Sequence, residues 1–101
     1  MNYLGKFVLV RTEKAGVNCG YLKEITINEI CWCVLTESRK IWRWRGANTL
    51  HELSTKGSHL TEFTRISEPV DECCLINVIE IIEVKDKKVE ENLTNSRWFN
   101  D

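Results

Sequence analysis

The chain of 101 residues holds one proline and two histidines, and its five glycines form neither a G-x-G-x-x-G nor a P-loop. Each gap removes a class of function. A Gly-rich phosphate cradle is excluded. No Cys–His or Ser–His–Asp arrangement can be assigned from the spacing around His51 and His59, so nucleophilic catalysis has no visible machinery. Asp71 and Glu72 are neighbours, and neighbours on a strand point apart, which makes a paired acid/base site a poor expectation. No catalytic residue is nominated, and a non-enzymatic protein without cofactor is expected.

The five cysteines, Cys19, Cys31, Cys33, Cys73 and Cys74, are odd in number and contain no C-x-x-C pair. A complete disulfide framework and a zinc site of ordinary spacing are both disfavoured. Reduced thiols acting as small hydrophobes, with no metal, are expected. Apolar runs stop after a few residues, as in Ile30–Leu35, far short of the roughly 20 that a membrane span needs. The first residues, Met1–Lys6, show no secretory apolar region, so the chain is expected to stay where it is made.

What is present describes one domain, residues 1–101. Apolar content of 43% beside 29% charged residues is ordinary for a globular protein. A chain of this length buries about two-thirds of its unfolded surface, enough for one modest core. Phe7–Arg11 and Val17–Ile25 read as strands, with Gly20 marking a bulge or a close backbone approach. Ile30–Leu35 and Arg39–Arg45 read as two further strands, turned by Thr36–Ser38. Thr49 and Glu52 match a capping box that opens a helix of about two turns, with Leu50 and Leu53 on one face and Gly57 stopping it in the left-handed conformation. Leu60–Ile66 alternates loosely until Pro69, and Cys74–Val84 carries the strongest β-branched run. Residues 85–101 form a charged, helix-compatible extension beyond a body of about 6–84, closed by Trp98 and Phe99. The fold expected is mainly β: a curved antiparallel sheet or partly open small barrel of about six strands, one internal helix and a possible C-terminal one.

Charge is unevenly spread. Residues 1–66 hold ten Lys/Arg against six Asp/Glu, and residues 67–101 hold four against nine. Such asymmetry can steer an anionic partner to the front half, or let two subunits meet front to rear. The segment Ile41–Gly46 concentrates the chemistry of that front half. If it is extended, Trp42 and Trp44 share one face, while Arg43 and Arg45 share the other. Arginine forks suit phosphate or carboxylate, and tryptophan faces suit base stacking or core burial. Arg11 ends the first strand, and Asn48 lies beside the helix start, where backbone N–H groups favour anions. A candidate site for an anionic ligand therefore comprises Arg11, Trp42, Arg43, Trp44, Arg45 and Asn48. The competing reading puts the tryptophans in the core and the arginines over the sheet surface.

Several short motifs occur in order: Val10-Arg11-Thr12, Ala15-Gly16-Val17, Gly20-Tyr21-Leu22, Ile41-Trp42-x-Trp44-x-Gly46-Ala47, Leu50-x-x-Leu53, Gly57, Pro69-Val70-Asp71-Glu72 and Val78-Ile79-Glu80-Ile81. This series, over residues 7–84, resembles a family of small, functionally uncharacterised proteins carried by bacteriophages and prophages. That family often has an aromatic or aliphatic residue where Arg43 and Cys73 stand. The resemblance implies a viral origin and the cytoplasm of an infected bacterium. It carries no established activity. Small phage proteins of this kind often blunt host immunity, and the Trp/Arg segment turns that expectation toward sequestration of a nucleotide-type immune signal by a homo-oligomer. Direct inhibition of a host defence complex, or a structural or morphogenesis role, are the alternatives.

Overall fold

Four consecutive buried residues, Phe7–Val10, mark the centre of the molecule. A strand can bury neighbouring side chains only if both faces of its sheet are covered. The computed structural model of the protein describes residues 2–59 and 64–95. Its elements are β1 (Phe7–Thr12), β2 (Val17–Thr26), β3 (Trp32–Arg43), α1 (Leu50–Lys56), β4 (Arg65–Ile66), β5 (Val70–Ile76), β6 (Val78–Glu83) and α2 (Lys87–Asn95). The fold is mainly β, with all pairings antiparallel in one unclosed sheet and two short helices.

The sheet runs β6-β1-β2-β3, and the far side of β3 is shared. Its first part pairs with β5, from Trp32↔Ile76 to Ser38↔Val70. Its last residues pair with β4, through Ile41↔Ile66 and Arg43↔Arg65. β5 and β6 thus lie on opposite edges, yet Asn77 alone joins them. Only a strongly curled sheet can bring its edges that close. Asn77 makes the corner with φ 60°, a backbone state that asparagine tolerates better than most residues.

Each face of the curled sheet has its own core. Val8, Val10, Leu22, Cys33, Leu35, Leu75 and Val78 fill the inside. Phe7, Leu9, Cys19, Ile41 and Val84 face outward and are covered by Leu50 and Leu53 of α1 and Val89 and Leu93 of α2. Burial of each such side chain contributes roughly 1.5–3 kcal/mol. The charged extension expected after residue 84 is therefore, as far as Asn95, part of the packed body. The expected terminal aromatics, Trp98 and Phe99, lie outside the described residues.

Two expectations about strands are corrected. The strands expected over 30–35 and 39–45 are joined in one continuous strand, Trp32–Arg43, and Thr36–Ser38 is a bulge rather than a turn. Glu37 takes φ 48°, and the β2–β3 register shifts between Cys19 and Tyr21. Gly20 makes this possible, because a Cβ there would sit 2.8 Å from the Thr36 carbonyl oxygen. The strand expected over Cys74–Val84 is two strands broken at Asn77, and the first begins at Val70. Of the strand expected over 60–66, the described part contributes Arg65–Ile66, and residues 60–63 lie outside the described residues.

The internal helix is built as its local code implies. Thr49 Oγ1 accepts from the Glu52 backbone N–H at 3.1 Å, and the Glu52 carboxylate reaches back to the Asn48 N–H at 3.5 Å. Gly57 closes it with φ 74°, as expected, but its ψ of −167° lies outside the left-handed helical region. The reason is tertiary. Asn92 of α2 accepts from the Ser58 N–H and donates to the Ser58 carbonyl, both at 2.9 Å, drawing the chain after α1 onto α2.

Candidate functional site

The six candidate residues do not converge. β3 ends at Arg43, so the alternation that would have set Trp42 and Trp44 on one face stops between them. Trp44 turns inward against the helix-side core, and its Nε1 donates to the Ala47 carbonyl at 3.0 Å. Trp42 turns outward and is 57% exposed. The core reading thus describes Trp44, and of the two tryptophans Trp42 is the one exposed to solvent.

Arg11 lies in register with Ile41 through Val17, so it is at the same end of the sheet as Arg43. Two strand spacings still separate the strands, about 10 Å. Its Nε is 3.8 Å from Glu80 on β6, and that carboxylate also lies 3.9 Å from His51 Nε2. Arg11 belongs to this surface ion cluster and not to the Trp42 region. At the start of α1 the Asn48 N–H donates to the Glu52 carboxylate at 3.5 Å.

What remains together is smaller and more defined. The Arg43 guanidinium carbon stands 4.7 Å from the Trp42 ring centroid. Such stacking holds the fork flat and parallel to an aromatic plane. Arg65 of β4 is the ladder partner of Arg43. Its Nε is buried, with no hydrogen-bond partner among the described residues. A buried guanidinium nitrogen without an acceptor is costly, and two arginines opposite each other repel.

The surroundings are basic and shaped by close backbone packing. Arg39 Nη1 donates to the Ser67 carbonyl at 3.2 Å, and Lys40 Nζ donates to the Ala15 carbonyl. Arg45 is exposed; its N–H donates to Thr64 Oγ1 at 3.3 Å, and its carbonyl accepts from the His59 N–H at 2.7 Å. His59 lies over Gly46, where φ is 92° and a Cβ would fall 2.5 Å from the imidazole Cδ2. This bracing ties the segment after Trp42–Arg43 to the chain leading into β4.

Arg65 was missed at the sequence level, since only the β3–β4 pairing puts it beside Arg43. The loose alternation before Pro69 was its one visible signal. Among the described residues no group of three or more His, Cys, Asp or Glu is gathered as a metal site would require. All five cysteines are free thiols, and burial pushes Cys19 and Cys33 up to about 12. No helix among the described residues is long and apolar enough to cross a membrane.

Fold and site together define a small antiparallel β domain, backed by two helices, with an arginine-stacked tryptophan on its surface. Residues 5–92 match a family model described as a domain of unknown function (DUF6948), and the chain belongs to that family. No curated protein and no solved structure matches it.

Proposed function

We propose that this protein is a non-enzymatic bacteriophage accessory protein that binds a nucleotide-type ligand and so removes an immune signal in the cytoplasm of the infected bacterium. The observation that carries the reading is the exposed Trp42 with the Arg43 guanidinium stacked on it and Arg65 opposite Arg43 in the ladder. The indole offers a plane for a base, and the two forks offer donors for phosphate. Arg45 extends the positive surface. The phage setting rests on the motif resemblance, and the nucleotide on the chemistry of this cluster.

Calorimetric titration with a panel of linear and cyclic nucleotides tests it. A binding nucleotide is expected, and Arg43→Ala should weaken it about tenfold or more, since a charge-assisted contact contributes about 1.5–3 kcal/mol. Trp42→Ala should weaken it comparably, stacking on a base being worth about 1–3 kcal/mol. Because Trp42 is exposed, that variant should keep the melting temperature of the parent chain. Absence of any heat from the panel, or an affinity in both variants equal to that of the parent chain, removes the reading. Capture of a host defence protein would then favour direct inhibition instead.

A further inference from the structure

The outward face of the sheet carries two apolar areas, and among the described residues the helices cover one. The other lies over the first part of β3 and over β5. Cys33 and Leu35 point into the inner core, so Trp32 and Val34 point outward, and their ladder partners Ile76 and Cys74 stand beside them. Ile30, in the loop before β3, completes a groove of about 570 Å³ with Trp32, Cys74 and Ile76. Ile30 is 53% exposed and Ile76 59%. Val70, at the other end of β5, is 54% exposed. β5 is also an edge: among the described residues it pairs with β3 alone. An edge strand with exposed apolar side chains and no second ladder partner among the described residues is a template for another strand.

The sequence of β5 says which strand fits. Rotated by a two-fold axis through Cys73 and laid antiparallel on itself, the strand sets Val70 opposite Ile76 of the second copy, at both ends of the pair. Asp71 then faces Leu75, and Glu72 faces Cys74. No carboxylate meets another, so the like-charge penalty of cross-strand pairing is avoided. Val70, Glu72, Cys74 and Ile76 are all exposed, on the face that continues from the groove. The exposed side chains at the two ends of β5 thus complement each other when the strand meets its own copy. We propose that the chain forms a two-fold dimer by antiparallel β5–β5 pairing, with Val70 of each copy against Ile76 of the other and the Trp32 groove flanking the seam. Two-fold self-complementary contacts are the commonest route to a closed assembly. This interface is separate from the Trp42–Arg43 cluster and stands or falls independently of the nucleotide.

Sedimentation equilibrium on the full chain tests the pairing and its register. The parent protein should approach twice its 11.8 kDa mass as concentration rises into the range of about 100 μM. Val70→Lys and Ile76→Glu should each remain at the mass of one chain, while keeping the parent melting temperature. The double variant Val70→Lys/Ile76→Glu should dimerise again, because the proposed register puts each introduced cation opposite an introduced anion. A monomeric parent, single variants that still dimerise, or a double variant that stays monomeric would overturn the proposal. A parent that is monomeric but binds an extended peptide along β5 would assign this edge to a different partner.

Discussion

Gly57 combines φ 74° with ψ −167°, a backbone state open to essentially glycine alone. A Cβ there would also meet Asn92 Oδ1 at 2.6 Å, on the side chain that holds the chain after α1 to α2. Both penalties act at one atom. Gly57→Ala should therefore destabilise the fold by about 1–3 kcal/mol from backbone strain, with more from the displaced Asn92. A urea unfolding midpoint unchanged from the parent would contradict this. Gly46 combines the same two penalties against an imidazole, and Gly20 carries the steric one alone, against a carbonyl. The tryptophans make the opposite point about single residues. Trp42 and Trp44 are identical in type and two apart, yet one is exposed and the other packs on the core, because the strand that carries Trp42 ends before Trp44.

Among the elements, α2 departs furthest from its sequence appearance. Its nine residues lie in what reads as a charged, helix-compatible extension beyond the body, but Val89 and Leu93 lie four apart and therefore on one helical face. Both are buried against the helix-side core. Tyr21 adds a polar tie, its hydroxyl donating to Glu90 at 2.9 Å while its ring meets Phe7 edge to face. Leu93 is completely buried. Leu93→Ala should cost about 2–5 kcal/mol, which for a domain of this size lowers Tm by roughly 10 °C or more. A thermal scan showing a shift of about a degree would mean that α2 docks loosely. β3 is the second case. Its bulge at Glu37 lets one strand serve three partners, which neither half of the strand discloses alone.

At the scale of the whole molecule, curling the sheet and covering its outer face sequesters groups that could otherwise ionise. Burial pushes the thiols of Cys19 and Cys33 from 9.0 up to about 12. Burial first, and then the Glu90 hydrogen bond, pushes Tyr21 from 10.0 up to about 12. In each case the folded pKa lies above the unfolded one, so the folded chain keeps a proton that the unfolded chain releases. The contribution to stability is whole below about pH 9 and is lost as pH rises toward 12. Urea midpoints should accordingly be level near pH 8 and fall steadily above pH 9, with a smaller fall in Cys19→Ala. A midpoint independent of pH to 10.5 would show that these groups are open to solvent.

Local chemistry was enough for several parts of this protein. The hydroxyl of Thr49 and the carboxylate of Glu52 act within one helical turn, the β-branched run at Val78 favours an extended chain by its own sterics, and Gly20 signals a bulge wherever its strand pairs. Those contacts close over a few residues, so the sequence alone determined the strands' general positions, the internal helix and the mainly β class. The candidate site was legible only in part. Trp42 and Arg43 are neighbours and stay together. Arg65 reaches them across 22 positions of chain, Arg11 is drawn away by Glu80 on β6, and at the start of α1 the Asn48 N–H donates to Glu52. Which faces are buried, which cations stand opposite each other and which strand edge is left open depend on pairings between distant segments. Only the tertiary structure decided them, because a residue's partner across a ladder is set by the register of the whole sheet and not by its neighbours in sequence.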